Sequence, residues 1–205
     1  MNKSLVKDAL ILAVITLVAG ILLGIVYEIT KDPIAKAQEA ATQAAYETVF
    51  STADSFAPVE GFDSEAASSY VHEQGYADDD ILACLTANDK DGNVLGYVIT
   101  VVSHAGYGGD ITFSIGITNE GVLNGYSITD ISETAGLGMK AKEEGFSSQF
   151  VNKALGIFEV TKTSPASDSE IQAISGATIT SKAMTYGIDA GIAYYQSLVG
   201  GASNE

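Results

Sequence analysis

The main candidate for chemistry in this chain is the string Ser-Gly-Ala-Thr-Ile-Thr-Ser at residues 175–181. It lies directly ahead of a pattern with helical spacing that extends from roughly Thr180 to Leu198. The first N–H groups of a helix lack partners inside the helix, so a hydroxyl of Ser175, Thr178 or Thr180 can cap them. The same N–H groups and the helix dipole attract an anion, usually a phosphate. The residues alone therefore fit both helix capping and phosphate binding.

Two glycine-rich strings precede this one. The first is His-Ala-Gly-Tyr-Gly-Gly at 104–109, where three glycines permit unusual backbone angles or a close approach to a ligand. The second is Ser-Glu-Thr-Ala-Gly-Leu-Gly at 132–138, where two glycines bracket a leucine. That arrangement could place backbone N–H groups and one apolar side chain against a flat ring. From the residues alone, an ordinary turn is the favoured interpretation of either string.

In this order, the three strings resemble the FMN-binding domain family. That family includes the G subunit of the Rnf ferredoxin:NAD oxidoreductase complex and the C subunit of the sodium-translocating NADH:quinone reductase. The resemblance covers roughly residues 106–198, with Ala135 where the family has proline and Gln172 where it often has an acidic residue. Family members carry FMN as a phosphoester on a threonine. The resemblance implies Thr178 as the acceptor, Thr180 as the fallback, and a flavin transferase for maturation.

The resemblance also implies which other residues bind the cofactor. They come from the second glycine string and from the residues around the acceptor. The full set is Glu133, Thr134, Gly136, Leu137, Gly138, Ser175, Gly176, Ala177, Thr178 and Thr180.

A second strong signal lies near the N-terminus. Residues Ala9 to Tyr27 carry no charge and are almost wholly apolar. At about 1.5 Å per residue they span about 28 Å, enough for the core of a bilayer. Lys3 and Lys7 precede them, so the positive-inside rule predicts a cytoplasmic N-terminus and an extracytoplasmic domain. The Ala-Lys-Ala at 35–37 has the form of a signal-peptide cleavage site, but the apolar run exceeds the usual length of about 7–15 residues. We therefore expect an uncleaved, single-pass anchor in the cell (inner) membrane.

The stretch between the anchor and the first strand predicts a helix and then irregular structure. Asp32 as a cap and Pro33 in the first turn predict a new helix from Ile34 to about Phe50. Residues 51–80 are acidic and lack periodicity, which predicts an irregular surface with a possible short strand near residues 69–72.

From residue 81 the period changes to two, which predicts four antiparallel strands in two hairpins. They are Ile81–Ala87, Val94–Val102, Ile111–Ile117 and Val122–Ile131. The expected fold class is α+β: an N-terminal transmembrane helix plus an extracytoplasmic domain whose antiparallel sheet is packed by helices. The expected division is a cytoplasmic tip and anchor (1–30), a helical linker with an acidic irregular region (31–80) and the FMN-binding domain (81–205).

Composition excludes several functions. The net charge of −16, with only 10 lysines and arginines, argues against nucleic-acid binding. The lone Cys84 rules out an intrachain disulfide. The two histidines, His72 and His104, lack the spacing of metal ligands, so we expect no metal site. No residue has the setting of a substrate acid, base or nucleophile, so we do not expect the chain to catalyse a reaction alone.

The resemblance implies a membrane-anchored subunit that carries covalent FMN and relays electrons within an Rnf-type ferredoxin:NAD oxidoreductase. Such a complex couples electron transfer to Na⁺ or H⁺ translocation, and its other subunits would be the partners. Two alternatives stay open. One is the related C subunit of a sodium-translocating NADH:quinone reductase. The other is a non-redox extracytoplasmic module that binds a ligand or scaffolds a complex.

Overall fold

The computed structural model describes residues 3–201, and the chain divides into two compact units, residues 1–41 and 42–205. All described residues of the first unit lie within helix α1 (Lys3–Val49). Its apolar side chains face outward; Leu10, Leu17 and Leu23 are 64%, 64% and 71% exposed. A continuous apolar surface of this kind is costly in water and is compatible with lipid. Among residues 3–201, α1 is the one helix long and apolar enough to cross a membrane.

The predicted start of a new helix at Pro33 is wrong, because α1 continues through it. Proline lacks the N–H that would bond to the carbonyl of Ile29, which costs a helix about 3 kcal/mol. The residues that follow are rich in alanine and other strong helix formers. We attribute the uninterrupted helix to this high propensity on the C-terminal side of the proline.

The second unit contains a six-stranded antiparallel sheet in the order β1 to β6. Its strands are β1 (Ser55–Pro58), β2 (Asp79–Asn88), β3 (Val94–Ser103), β4 (Ile111–Thr118), β5 (Val122–Ile131) and β6 (Lys153–Ala154). The four predicted strands are confirmed as β2 to β5. Thr100 pairs with Ser114 where β3 of the first hairpin meets β4 of the second, and Ile115 pairs with Tyr126 within the second hairpin. The two short edge strands, β1 and β6, were not predicted.

Residues 64–73 form helix α2 (Ser64–Glu73), so the strand expected near residues 69–72 is wrong. Asp63 caps this helix, since its side chain accepts the N–H of Ala66 at 3.0 Å. Ala67 and Val71 are buried in the core. The stretch predicted to be irregular is therefore partly regular, and a short amphipathic helix packs its small apolar face inward.

The chain between β5 and the last helix is made of short elements. They are a 3₁₀ turn (Gly138–Lys142), helix α3 (Glu144–Ser147), a second 3₁₀ turn (Ser148–Phe150), and the parallel pair β7 (Glu159–Thr161) and β8 (Glu170–Gln172). A chain of edge-on aromatic contacts ties them to the sheet, since the Phe150 ring lies 5.5 Å from that of Tyr126 and 5.6 Å from that of Phe158.

Helix α4 (Thr178–Gly201) packs on the sheet and is the element that positions the site. Met184 and Ile188 on its inner face are fully buried. At Gly187 and Gly191 the helix backbone approaches the sheet so closely that an added Cβ would lie 2.8 Å from the Phe113 ring and 2.5 Å from Ile115. Only glycine permits that approach. The second unit thus has the expected α+β architecture, an antiparallel sheet packed by helices.

Candidate functional site

A cavity of about 530 Å³ lies at the N-terminal end of α4. Its volume falls within the range of about 300–1,000 Å³ typical of small-molecule sites. Three segments line it: the β3–β4 loop, the segment after β5 and the start of α4. The lining residues are Tyr107, Glu133, Thr134, Leu137, Gly138, Gly176, Ala177, Thr178, Ile179 and Thr180. The three strings singled out in the sequence therefore meet at one place.

Two of the predicted site residues do not line this cavity. Ser175 lines a neighbouring cavity of about 180 Å³. Gly136 is exposed in the turn after β5, with a φ of 75°. Two residues absent from the prediction do line the main cavity, Tyr107 and Ile179. Both lie within strings already singled out in the sequence. Their position next to glycines or threonines is the sequence feature that could have identified them as site residues.

The entrance to α4 is built by a buried hydroxyl. Oγ of Ser181 accepts the N–H of Ile174 at 2.9 Å and donates to the carbonyl of Ala177 at 2.9 Å. Gly176 turns the chain with a φ of 78°. Capping by Ser175, Thr178 or Thr180 does not appear among the hydrogen bonds of residues 3–201. Ser181 instead fastens the segment before α4 to the first turn of the helix. The helix begins two residues earlier than predicted.

Thr178 is the first residue of α4 and is half-buried at the cavity wall. It is neither sealed in the core nor fully in solvent, which fits a residue that a ligand in the cavity can contact. The free N–H groups of the first helical turn lie at the same end of α4, where they favour negative charge.

Glu133 ties the β3–β4 loop to the segment after β5. Its carboxylate Oε1 accepts the N–H of Tyr107 at 2.7 Å and that of Gly108 at 3.2 Å. Gly108 lies so close to the backbone of Ser132 that a side chain would collide with it. These contacts place Tyr107 on the cavity wall, with its side chain 71% exposed. A flat ligand entering the cavity would meet this aromatic side chain.

Two observations indicate that the cavity fits a ligand with polar groups. The Oγ1 of Thr180 is buried and has no hydrogen-bond partner among residues 3–201. A Cβ added at Gly138 would lie 2.5 Å from Oε2 of Glu133 and 2.7 Å from Oγ1 of Thr180, so only glycine lets these two polar side chains lie together at the cavity wall. The exposed side chains of Leu137 and Ile179 supply an apolar surface beside it. A polar chain joined to a flat apolar ring, as in FMN, suits these residues.

His104 bridges two carboxylates at the start of the loop that carries Tyr107. Nε2 of His104 lies 3.1 Å from Oδ2 of Asp80, and its Nδ1 lies 2.9 Å from Oδ1 of Asp110. The other Asp80 oxygen lies 3.0 Å from Nε2 of His72. A neutral imidazole has one N–H, so both carboxylate contacts of His104 are attractive only when it is protonated. The hydrogen bonds to Asp110 and then to Asp80 raise the pKa of His104.

We expect this histidine to make stability depend on pH. Because the pKa of His104 is raised in the folded state, its contribution is fully present below the ordinary value of 6.5 and is lost as the pH rises through the raised value. The side chain is 44% exposed, so the contribution is at most about 1 kcal/mol. Urea unfolding of the wild type and His104→Gln at about pH 5 and about pH 9 measures it. Other titrating groups cancel in the difference between the two proteins, which should shrink at high pH. An equal difference at both pH values would contradict the expectation.

Comparison with known proteins gives consistent family matches. Residues 106–193 match the FMN-binding domain family, and residues 1–49 match the RnfG N-terminal region. The chain is 33% identical over 198 residues to the G subunit of the Na⁺-translocating ferredoxin:NAD⁺ oxidoreductase complex of Acetobacterium woodii, covering 96% of this chain and 94% of that one. It is 30% identical to the G subunit of the proton-translocating ferredoxin:NAD⁺ oxidoreductase complex of Clostridium ljungdahlii, covering 93% and 91%.

Among solved structures, the C subunit of the Na⁺-translocating NADH-quinone reductase from Parabacteroides distasonis is similar with a TM-score of 0.49. The identity is 22%, over 70% of this chain and 76% of that chain.

Proposed function

Because the chain belongs to the family of G subunits of ion-translocating ferredoxin:NAD⁺ oxidoreductase (Rnf) complexes, we propose that FMN occupies the cavity at the start of α4 and is covalently attached to Thr178. The chain is a membrane-anchored FMN protein that relays electrons within an Rnf-type complex, and the other subunits of that complex are its partners. The observation that carries the proposal is the meeting of three separate strings at one cavity with Thr178 on its wall. One relative is named for Na⁺ and the other for protons, so the coupling ion is left open.

Attachment at Thr178 is a group transfer to a hydroxyl. The oxygen of Thr178 forms a bond to the flavin phosphorus and gives up its proton. The bond that breaks joins that phosphorus to the leaving group of an activated flavin nucleotide, such as the adenylate half of FAD. We assign this step to a flavin transferase, because the only ionisable side chains among the cavity-lining residues are those of Glu133 and Tyr107. A permanent bond would keep the cofactor from being lost by dilution.

The other cavity residues position the cofactor. The N–H groups at the start of α4 and the helix dipole stabilise the phosphate, and Lys182 lies exposed one turn further on. Leu137, Ile179 and Tyr107 offer apolar surface to the ring. FMN, when bound, supplies the exchange of one or two electrons, which suits a relay between single-electron carriers. The chain's own contribution is to hold the ring and shape its surroundings.

We also propose the orientation and the division of the chain. Lys3 and Lys7 before the apolar run support a cytoplasmic N-terminus and an extracytoplasmic flavin domain, with a single crossing of the cell membrane. Residues 1–30 are then the cytoplasmic tip and anchor, residues 31–80 the linking region, and residues 81–205 the FMN-binding domain. Ser175 and Gly136 lie outside the main cavity. We propose that they contribute to FMN binding indirectly, through the turns that they form beside the cavity. Labelling of single-cysteine variants in intact cells, after Cys84→Ser, would test the orientation.

The experiment that tests the function uses the full chain expressed with a flavin transferase. We expect a yellow protein whose fluorescence survives a denaturing gel, and a peptide around residue 178 heavier by one FMN less one water. The copurified membrane complex should contain the other Rnf subunits. A colourless protein with an unmodified peptide would contradict the covalent relay and favour a non-redox binding module.

A further inference from the structure

We propose that the Thr180 hydroxyl and the Glu133 carboxylate hold hydroxyl groups of the ribityl chain of FMN, on either side of Gly138. This inference rests on the proposed function, since it takes FMN as the ligand of the cavity. It assigns Thr180 a positioning role instead of a role as a second acceptor.

The first observation is the unusual state of the Thr180 side chain. The residue is 1% exposed, and its Oγ1 has no hydrogen-bond partner within the described chain, although it borders the cavity. Two neighbours on the same helix behave differently, since Ser181 donates to the carbonyl of Ala177 and Thr185 donates to that of Ser181. Buried hydroxyls nearly always have a partner, because an unpartnered one is costly to bury. A polar atom of a ligand would supply the missing partner.

The second observation is the carboxylate opposite. Oε1 of Glu133 already accepts the N–H groups of Tyr107 and Gly108, and Oε2 lies against Gly138 close to the Thr180 hydroxyl. An ionised carboxylate only accepts hydrogen bonds and repels other anions. It therefore suits neither the phosphate of FMN nor a ring carbonyl, and it suits a hydroxyl donor. The Thr180 hydroxyl, which can donate or accept, suits the same kind of group.

The covalent order of FMN agrees with this placement. With the phosphate on Thr178, the next part of the molecule is the ribityl chain, and the ring comes last. Thr180 lies two residues from Thr178 at the same helix end, while the apolar side chain of Leu137 provides surface for the ring. Gly138 lets these two polar side chains lie close together, because a Cβ at this position would collide with Oε2 of Glu133 and Oγ1 of Thr180.

The test compares thermal unfolding of the full chain in detergent, with and without attached FMN. In the protein without flavin, Thr180→Val removes an unpartnered buried hydroxyl, so its Tm should rise by about 2–4 °C. In the loaded protein the same change removes a hydrogen bond to the ligand, so the Tm gained on loading should shrink. Thr180→Ser should restore wild-type behaviour in both states. Equal loss of Tm in both states would show a purely structural role and overturn the proposal.

Thr185→Val is the matched control, because Thr185 is equally buried on the same helix but its hydroxyl is partnered within the protein. It should lower Tm by the same amount with and without flavin. As a second readout, the fluorescence anisotropy of the attached flavin should decay faster in Thr180→Val and in Glu133→Gln than in the wild type. Unchanged decay in both variants would overturn the ribityl assignment alone. Failure of the wild type to acquire flavin would instead contradict the proposed function.

Discussion

Thr178→Ala is expected to produce a protein with no covalently attached FMN, however much flavin transferase is present. The phosphoester needs the oxygen that this substitution removes, so the effect is complete loss. The fold should survive, because residue 178 is half-buried at a helix start and alanine is a strong helix former. The free energy of unfolding without flavin should change by no more than about 1 kcal/mol. Fluorescence on a denaturing gel and the mass of the peptide that contains residue 178 measure the outcome.

Two further variants separate the possible acceptors. Thr178→Ser keeps a hydroxyl at the same position and should still accept FMN. Thr180→Ala should leave the modification on Thr178, as located by fragmentation of the peptide. If Thr178→Ala carried FMN at full occupancy on Thr180, the acceptor would be the fallback residue. The ribityl contact assigned to Thr180 would then be wrong as well.

The sheet was predictable because its signals are local. Strands β2 to β5 alternate or run apolar between clear turn sequences such as Asn-Asp-Lys-Asp-Gly-Asn at 88–93, and hairpins place neighbours in sequence side by side. The short edge strands β1 and β6 carry no such pattern, because their pairing depends on a strand already in place. The helix α2 was missed because its apolar face is short, formed by Ala67, Tyr70 and Val71, and its Asp63 cap lay in a stretch rich in acidic side chains.

The segments that form the cavity were predictable from the sequence, but the arrangement of their residues in space was not. Family resemblance selected eight of the residues that line it, but the chain alone could not show that Ser175 lies at a neighbouring cavity. Nor could it show that Ser181 accepts the N–H of Ile174 ahead of the helix, because a row of hydroxyls allows several arrangements of hydrogen bonds. The same limit applies to Thr180, whose lack of a partner is visible only once the packing around it is known.

A buried acidic pair, Asp189 on α4 and Asp79 on β2, leads to the other large expected effect. Both oxygens of Asp189 lie near the N–H of Phe158, at 3.1 and 3.2 Å, and the residue is 3% exposed. Burial raises the pKa of Asp189 to about 8, and repulsion from Asp79 adds to the increase against the lowering effect of the Phe158 N–H. Burial also raises the pKa of Asp79 to about 6. The folded state therefore binds these protons more tightly than the unfolded state does.

Asp189→Asn is expected to flatten the dependence of stability on pH. A carboxyl group with a raised pKa stabilises the fold fully below its ordinary value of 3.8, and this contribution is lost as the pH rises towards about 8. At about 1.4 kcal/mol per pKa unit, the loss is on the order of a few kcal/mol. Asparagine keeps an oxygen for the Phe158 N–H and never ionises. The variant should thus match the wild type near pH 4 and exceed its stability near pH 8.

Urea unfolding of the full chain in detergent across this pH range measures the difference between the two proteins. Asp130→Asn is the control, because Asp130 is an exposed carboxylate on β5 and its replacement should leave the shape of the curve unchanged. Parallel curves for Asp189→Asn and the wild type would mean that Asp189 is ionised inside the fold even near neutral pH. The hydrogen bond from Phe158 would then outweigh burial and the repulsion from Asp79. Either result shows whether the Phe158 N–H is bound by a protonated acid or by a buried charge on α4, the helix that begins at Thr178.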